Sequence, residues 1–299
     1  MSEKSLIDEI EQILDVSKKN LLGINEDAVA FTIENKQVVV NVDAWVESTD
    51  RVPGFESFDC GFRAAINSIS DIYAKGGKPL YLLASSGISA EKKNEIVDIV
   101  KGINEACKIY GIVFMGGDLN QSNDLFIDIT VVGIAKKLHK RSTANVGENV
   151  YWLGPPLGEN TAAFGILLQN WIGDKDQALN ILRKPKLYPE FLNLNTNAAI
   201  DCSDGLAKTL HILAESSQTG IELHFEVEYS SFVKQVALEN KKELEELALY
   251  GGEELGIVFT ASNSASIPNS CILIGKIIEG SGILFNKKQI PNRGWDHFQ

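Results

Sequence analysis

Apolar residues gather in strand-length runs at 27–33, 37–43, 80–86, 112–115 and 125–135. Between them, apolar positions recur at helical spacing over about 59–75 and 90–110, and the second stretch stops before Gly111, as a helix end should. After a basic stretch, Lys136 to Arg141, the pattern restarts with a strand at 148–153, a Gly-Pro-Pro-Leu-Gly turn and a helix from about Asn160. A strand into Asp201, a helix after Asp204, a strand near 221–227 and two helical stretches up to Ala248 follow, and strands near 255–260 and 271–278 close the pattern. Strands mixed with helices in both halves predict α/β (α+β) layers, and no internal repeat or low-complexity segment interrupts them. A chain of 299 residues exceeds one ordinary core, so two domains are expected, 1–145 and 146–299.

The helix over 59–75 is unusual on both faces. Phe62, Ala65, Ile66, Ile69, Ile72 and Tyr73 share one face, while Ala64, Asn67, Ser68, Asp71 and Lys75 share the other. A solvated face would ordinarily carry longer charged side chains. The small polar residues instead predict the close approach of a ligand or of another element.

A formal net charge of −12 argues against a nucleic-acid groove, because phosphate backbones are held mainly by Lys and Arg. No run is long enough to span a bilayer, and the amphipathic acidic start lacks the basic and apolar parts of a signal peptide, so a cytoplasmic protein is expected. Cys60, Cys107, Cys202 and Cys271 lie far apart, as buried thiols in a reducing compartment would. Neither G-x-x-x-x-G-K-[ST] nor a strand-to-helix G-x-G-x-x-G occurs. If this chain handles phosphates, metal ions must mediate.

Carboxylates are placed where strands are expected to end: Asp27, Asp43, Asp118 after Gly116-Gly117, and Asp201 with Asp204. Such positions gather ligand groups in α/β proteins. Each residue also has an ordinary reading. Asp27, Asp43 and Asp118 could be turn residues, Gly116-Gly117 a turn, and Asp201 and Ser203 caps of the helix that follows.

Taken in order, the segments resemble the thiamine-monophosphate kinase family, within the superfamily of aminoimidazole ribonucleotide synthetase and selenophosphate synthetase. Ala-Ile-Asp201-Cys-Ser203-Asp204-Gly205-Leu resembles A-I-D-x-S-D-G-L, and Ser70-Asp71-Ile72 with Gly76 and Pro79 resembles S-D-[LI]-x-A-x-G-x-x-P. Gly116-Gly117-Asp118, Arg141-Ser142, Gly251-Gly252-Glu253, Ile274-Gly275-Lys276-Ile277 and Gly294-Trp295-Asp296-His297-Phe298 follow in the family's order.

The resemblance implies a two-domain fold of the aminoimidazole ribonucleotide synthetase type, a homodimer whose N-terminal domains pair their sheets, and ATP with several Mg²⁺ ions bound between the domains. By position, Asp27, Asp43, Asp71, Asp118, Asp201 and Asp204 would hold metal, and Asp43, Asp71, Asp204 and Arg141 would serve catalysis. Tyr110, Gly117, Asp118, Arg141 and Ser203 would touch ATP, while Glu253 and Trp295 would sit at the thiamine end. The implied reaction is transfer of the γ-phosphate of ATP to thiamine monophosphate, a step of thiamine diphosphate biosynthesis. Such transfer between two polyanions suits hard, oxygen-ligated Mg²⁺, and the acceptor phosphate, already largely a dianion at neutral pH, needs no general base.

The chain also departs from the family pattern. Asn25-Glu26-Asp27 stands for G-D-D, Ser48-Thr49-Asp50-Arg51 lacks an expected histidine, Leu119 replaces the Thr of G-G-D-T, and Gly252-Glu253-Glu254-Leu255-Gly256-Ile257 stands for G-E-D-Y-E-L. These departures leave open another ATP-dependent enzyme of the superfamily, like aminoimidazole ribonucleotide synthetase, or a nucleotide- or metal-binding regulatory protein without kinase activity.

Overall fold

Strand pairing sorts the chain into two sheets. The computed structural model describes residues 3–14, 19–23, 25–224 and 227–295. After α1 (Glu3–Ile13), the first half contains β1 (Val29–Ile33), β2 (Lys36–Val46), a single turn α2 (Glu47–Asp50), α3 (Ser57–Ala74), β3 (Gly77–Ile88), α4 (Ile96–Tyr110), β4 (Val113–Gln121) and β5 (Phe126–Ala135). Its strands form one sheet in the order β1-β2-β5-β3-β4, antiparallel except for the β3–β4 pair. The β1–β2 hairpin closes through Glu34 and Asn35, both left-handed, the two-residue turn whose twist matches that of the flanking strands.

The second half holds β6 (Asn149–Leu153), α5 (Glu159–Leu168), α6 (Lys175–Arg183), β7 (Ala199–Asp201), α7 (Leu206–Ser217), β8 (Gly220–Leu223), α8 (Ser231–Asn240), α9 (Leu244–Leu249), β9 (Ile257–Ala261), β10 (Ile272–Ile278), β11 (Gly282–Phe285) and β12 (Lys288–Gln289). Its sheet runs β12-β11-β8-β10-β6-β9-β7. The four cysteines are buried and unpaired. No helix of the described residues is long and apolar enough to cross a membrane.

Helix α3 is the axis of the first half. It starts in a capping box, with the Glu56 amide donating to Asp59 Oδ2 at 2.9 Å and the Glu56 side chain accepting in return. Ile66, Ile69 and Ile72 are fully buried on its apolar face. At Ser68 the small polar face is explained by close packing, its Oγ donating to the Ile129 carbonyl of β5 at 3.3 Å, and Ser70, between the two faces, donates from Oγ to Asp201 Oδ2 at 3.4 Å. The helix thus touches the first sheet and the end of β7 at once.

Two strands run further than the sequence pattern suggests, and both changes bear on the site. β2 continues to Val46, because Trp45 extends the buried alternation, so Asp43 sits mid-strand opposite Ile129 rather than at a strand end. β4 continues through Gly116-Gly117-Asp118. Leu82 pairs with Phe114 and Leu83 with Gly116, which leaves Met115 as a bulge. Gly116 takes φ +109 there, and a Cβ on Gly117 would lie 1.6 Å from the Ala84 carbonyl oxygen. The glycine pair is therefore a bulge inside a strand and not a turn. Helix α6 and the β11–β12 hairpin add elements that the pattern does not reveal. In the expected strand near 221–227, β8 ends at Leu223, and residues 225 and 226 lie outside the described residues, as do 296–298 of the closing motif.

Candidate active site

The loop before β1, the C-terminal turn of α3 and the end of β7 meet where the two halves join. They bring Asp27, Asp71 and Asp201 together, with one oxygen of each lying within 4.8 Å of the others. Asp201 is buried at the tip of β7, where its strand neighbour is Ile257. Four residues on, Gly205 is the N-cap of α7, with φ +106 and no room for a Cβ, which would come within 2.1 Å of the Gly251 carbonyl oxygen. No side chain caps that helix, so the capping role for Asp201 and Ser203 does not hold.

Asn41, two residues before Asp43 and on the same face of β2, donates to Asp71 Oδ2 at 2.5 Å and to the Asp27 carbonyl at 2.9 Å. Cations supplied by the chain frame the cluster. The Lys75 ammonium is fully buried, 2.6 Å from Glu26 Oε2 and 2.7 Å from Asp27 Oδ2. Arg141 pairs with Asp27 Oδ1 through its guanidinium, donates from the same guanidinium to the Asn25 carbonyl at 2.7 Å, and donates from its main-chain amide to Glu26 Oε1 at 2.9 Å.

Burial, then the charges of Asp201 and Asp43, push the Asp71 carboxyl well above its ordinary value. Burial also raises Asp201, against the opposing pull of Arg141 and Lys75. Without a metal ion both carboxyls are therefore driven toward their protonated forms. The all-oxygen donor set suits a hard divalent ion. Asp27 Oδ2 and Asn41 Oδ1 are buried without a hydrogen bond among the described residues, Asp27 Oδ2 meeting Lys75 only as an ion pair, so acceptor capacity is left for such an ion.

The other expected residues are distributed around this triad. Asp43 is near enough for its charge to act on Asp71, and the charge of Asp204 acts on Asp201 and Arg141. Asp204 Oδ2 pairs with Lys208 at 2.7 Å, and Ser203 is exposed beside it. Asp118 is not brought to the triad. It is exposed on edge strand β4, three strand spacings or about 14 Å from β2, and its side-chain contact is a 2.6 Å hydrogen bond from Asn120. Beyond the bulge it stands in register with Ser85, on the sheet face opposite the buried Ala84. Gly117 lies one residue before it. Tyr110 uses its hydroxyl elsewhere, accepting from the Leu187 amide at 2.8 Å, with its ring edge-on to Tyr73.

Glu253 takes a left-handed φ of 57° in the loop beside Ser203. Its carboxylate pairs with Arg63, a buried α3 residue whose guanidinium also donates to the Leu182 carbonyl at 2.5 Å. Trp295 is about half exposed, and its backbone is fastened to the start of α7: its amide donates to the Asp204 carbonyl at 3.1 Å, and Lys208 Nζ donates to the Trp295 carbonyl at 2.6 Å. The sequence reading did not single out Asn41, Glu26, Lys75 or Arg63 as site residues. Lys75 follows Asp71 by one helical turn and Asn41 precedes Asp43 by one strand period, and these spacings were the available signals.

Residues 25–135 match the family described as AIR synthase related protein, N-terminal domain. The thiamine-monophosphate kinase of Pyrococcus horikoshii is 31% identical over 291 residues, covering 93% of this chain and 91% of its own length. The chain belongs to the thiamine-monophosphate kinase family. The thiamine-monophosphate kinase of Nitrosopumilus maritimus is 27% identical over 99% of this chain and 100% of its own length. A solved structure of AaThiL complexed with AMPPCP and TMP superposes with a TM-score of 0.89 at 25% identity, covering 99% of this chain and 97% of that one. In this thiamine-monophosphate kinase fold, the carboxylate triad joins the first sheet's helix to the second sheet's edge.

Proposed function

We propose that the chain transfers the γ-phosphate of ATP to thiamine monophosphate, yielding thiamine diphosphate and ADP, at the junction where Asp27, Asp71 and Asp201 converge. Family membership supports the reaction, and the convergence of three carboxylates within 4.8 Å is the observation that carries the choice of site. Asp27, Asp71 and Asp201, with Asp43 and Asp204 nearby, would hold Mg²⁺. The ions would supply neutralisation of the phosphates and alignment of donor and acceptor oxygens. The chain's own part is to hold oxygen ligands rigidly, to direct the Arg141 guanidinium toward transferred charge, and to keep water out through the buried α3–β7 contact. In this reading the clustered carboxylates serve as ion ligands and not as nucleophiles, and transfer is direct and in-line.

The domains of this reading are 1–145, for nucleotide, metal and dimer contacts, and 146–299, which completes the site. ADP release should require both Mg²⁺ and thiamine monophosphate, and calorimetry should find ATP binding lost in excess chelator. Equal ADP release without the acceptor, or tight ATP binding in chelator, would refute this reading.

The acceptor end is assigned to Glu253 and Trp295, which flank Ser203 and Asp204 through the backbone contacts described above. Trp295→Ala should raise the acceptor KM several-fold with a smaller effect on ATP binding, as steady-state kinetics with each substrate varied would reveal. Unchanged acceptor kinetics would remove Trp295 from the site.

A homodimer is supported by the open face of the first sheet. Val42 and Leu83 both align with Thr130, and Tyr81 aligns with Val132, so exposed apolar side chains stand in rows across that face. Sedimentation should give twice the 32.8 kDa chain mass, and a monomer at micromolar concentration would count against it. A biosynthetic kinase with no membrane-spanning helix among its described residues fits the cytoplasm.

A further inference from the structure

Lys75 is the most deeply buried cation of the site, fully enclosed at the C-cap of α3. Its ammonium has three oxygen neighbours: Glu26 Oε2 at 2.6 Å, Asp27 Oδ2 at 2.7 Å and the Ala199 carbonyl at 3.0 Å. Two of its N–H groups hydrogen-bond, to Glu26 Oε2 and the Ala199 carbonyl, and Asp27 Oδ2 adds an ion pair, so three oxygens, two from the loop before β1 and one from β7, surround the ammonium as an oxygen shell surrounds a metal ion. Glu26 completes the arrangement by accepting the Arg141 amide at its other oxygen, 2.9 Å away. Glu26 is also where the chain departs from the family's G-D-D, and its longer side chain reaches the ammonium.

We propose that Lys75 is a resident cation of the carboxylate cluster, filling the place beside Glu26 and Asp27 that a further divalent ion would otherwise take. The inference rests on the reading of Asp27, Asp71 and Asp201 as metal ligands. Asp27 pairs with both cations; the charges of Glu26, Asp71 and Asp201 also act on the ammonium, and those of Glu26, Asp201 and Asp204 on the Arg141 guanidinium. A divalent ion leaves with chelator, whereas the ammonium is covalently attached to α3. Lys75 therefore keeps the 25–28 loop and β7 joined to α3 whether or not metal is present, and the cluster works with one exchangeable ion fewer than its carboxylates could hold. An ammonium is also a weaker neutralising charge than a divalent ion, so Asp27 keeps a stronger attraction for the ions it shares with Asp71 and Asp201.

The test is Mn²⁺ binding to the full chain in the presence of a non-hydrolysable ATP analogue, counted from the free-ion paramagnetic resonance signal. It is paired with thermal denaturation in chelator and in Mn²⁺. Lys75→Met should bind one Mn²⁺ more than wild type, melt lower in chelator and recover in Mn²⁺. The double variant Lys75→Met, Glu26→Gln removes the ammonium and one carboxylate together. It should return to the wild-type ion count and melt in chelator above the single variant. A Lys75→Met protein that folds with the wild-type ion count overturns the proposal, and so does one that stays unfolded in Mn²⁺. Failure of wild type to bind Mn²⁺ would instead refute the metal reading itself, and is seen before any variant is compared.

Discussion

Asp71→Asn should lower turnover by at least about 100-fold while leaving the metal-free protein as stable as the parent, or more so. Burial is the largest influence on Asp71, followed by repulsion from Asp201 and Asp43, and all three oppose its charge. A carboxyl raised in the fold above its ordinary value of 3.8 contributes stability that is fully present below that value and is lost as pH rises. Asn carries no such penalty, keeps nearly the same volume and can still accept the Asn41 amide through its side-chain oxygen. Melting in chelator at pH 5 and pH 8 should therefore favour the variant increasingly at the higher pH, as kcat collapses. A residue serving only as a solvated helix position would leave kcat near wild type and move stability by no more than roughly 0.5 kcal/mol. A variant that is active yet clearly destabilised would show that the carboxylate serves the fold.

Glu254→Gln should stabilise the protein at neutral and alkaline pH. Glu254 is buried behind the site loop, and burial pushes its carboxyl up to about 8 from an ordinary 4.5. One oxygen accepts the Gly158 amide at 3.2 Å, and the other has no hydrogen-bond partner among the described residues. Because the folded value is raised, the stability tied to its neutral form is complete below about pH 4.5 and drains away as pH climbs toward 8. Gln retains the oxygen that accepts from Gly158 and never ionises. Chemical denaturation should find the two proteins nearly equal at pH 5 and the variant ahead by roughly 2–4 kcal/mol at pH 8. A constant difference across that range would mean that Glu254 does not titrate in the fold.

Much of the fold was legible because its elements obey simple periods. The apolar stripe of α3, the alternation in β2 and β5, and the Gly111 stop of α4 all follow from local rules. The site was legible only in part. Asp27, Asp71 and Asp201 stood out as polar groups at element ends or on a small-residue face, but their meeting depends on sheet order and on how the halves dock, which no local spacing encodes. Asp118 illustrates the gap: placing it at a strand end overlooked a bulge inside a longer strand, and one extra residue in a strand reverses which face the following side chains occupy. The pairing of Arg63 with Glu253, 190 positions away, left no trace in sequence spacing at all.

The contact between Ser70 and Asp201 spans 131 positions of the chain. Closing so long a loop costs entropy that is rewarded only after each sheet has its own core, so the active site is expected to assemble late in folding. A ligand held by both halves then finds no binding platform in earlier species. Its contribution is to slow the first step of unfolding rather than to hasten folding, and bound substrates protect this kinase chiefly by lengthening the lifetime of its native state.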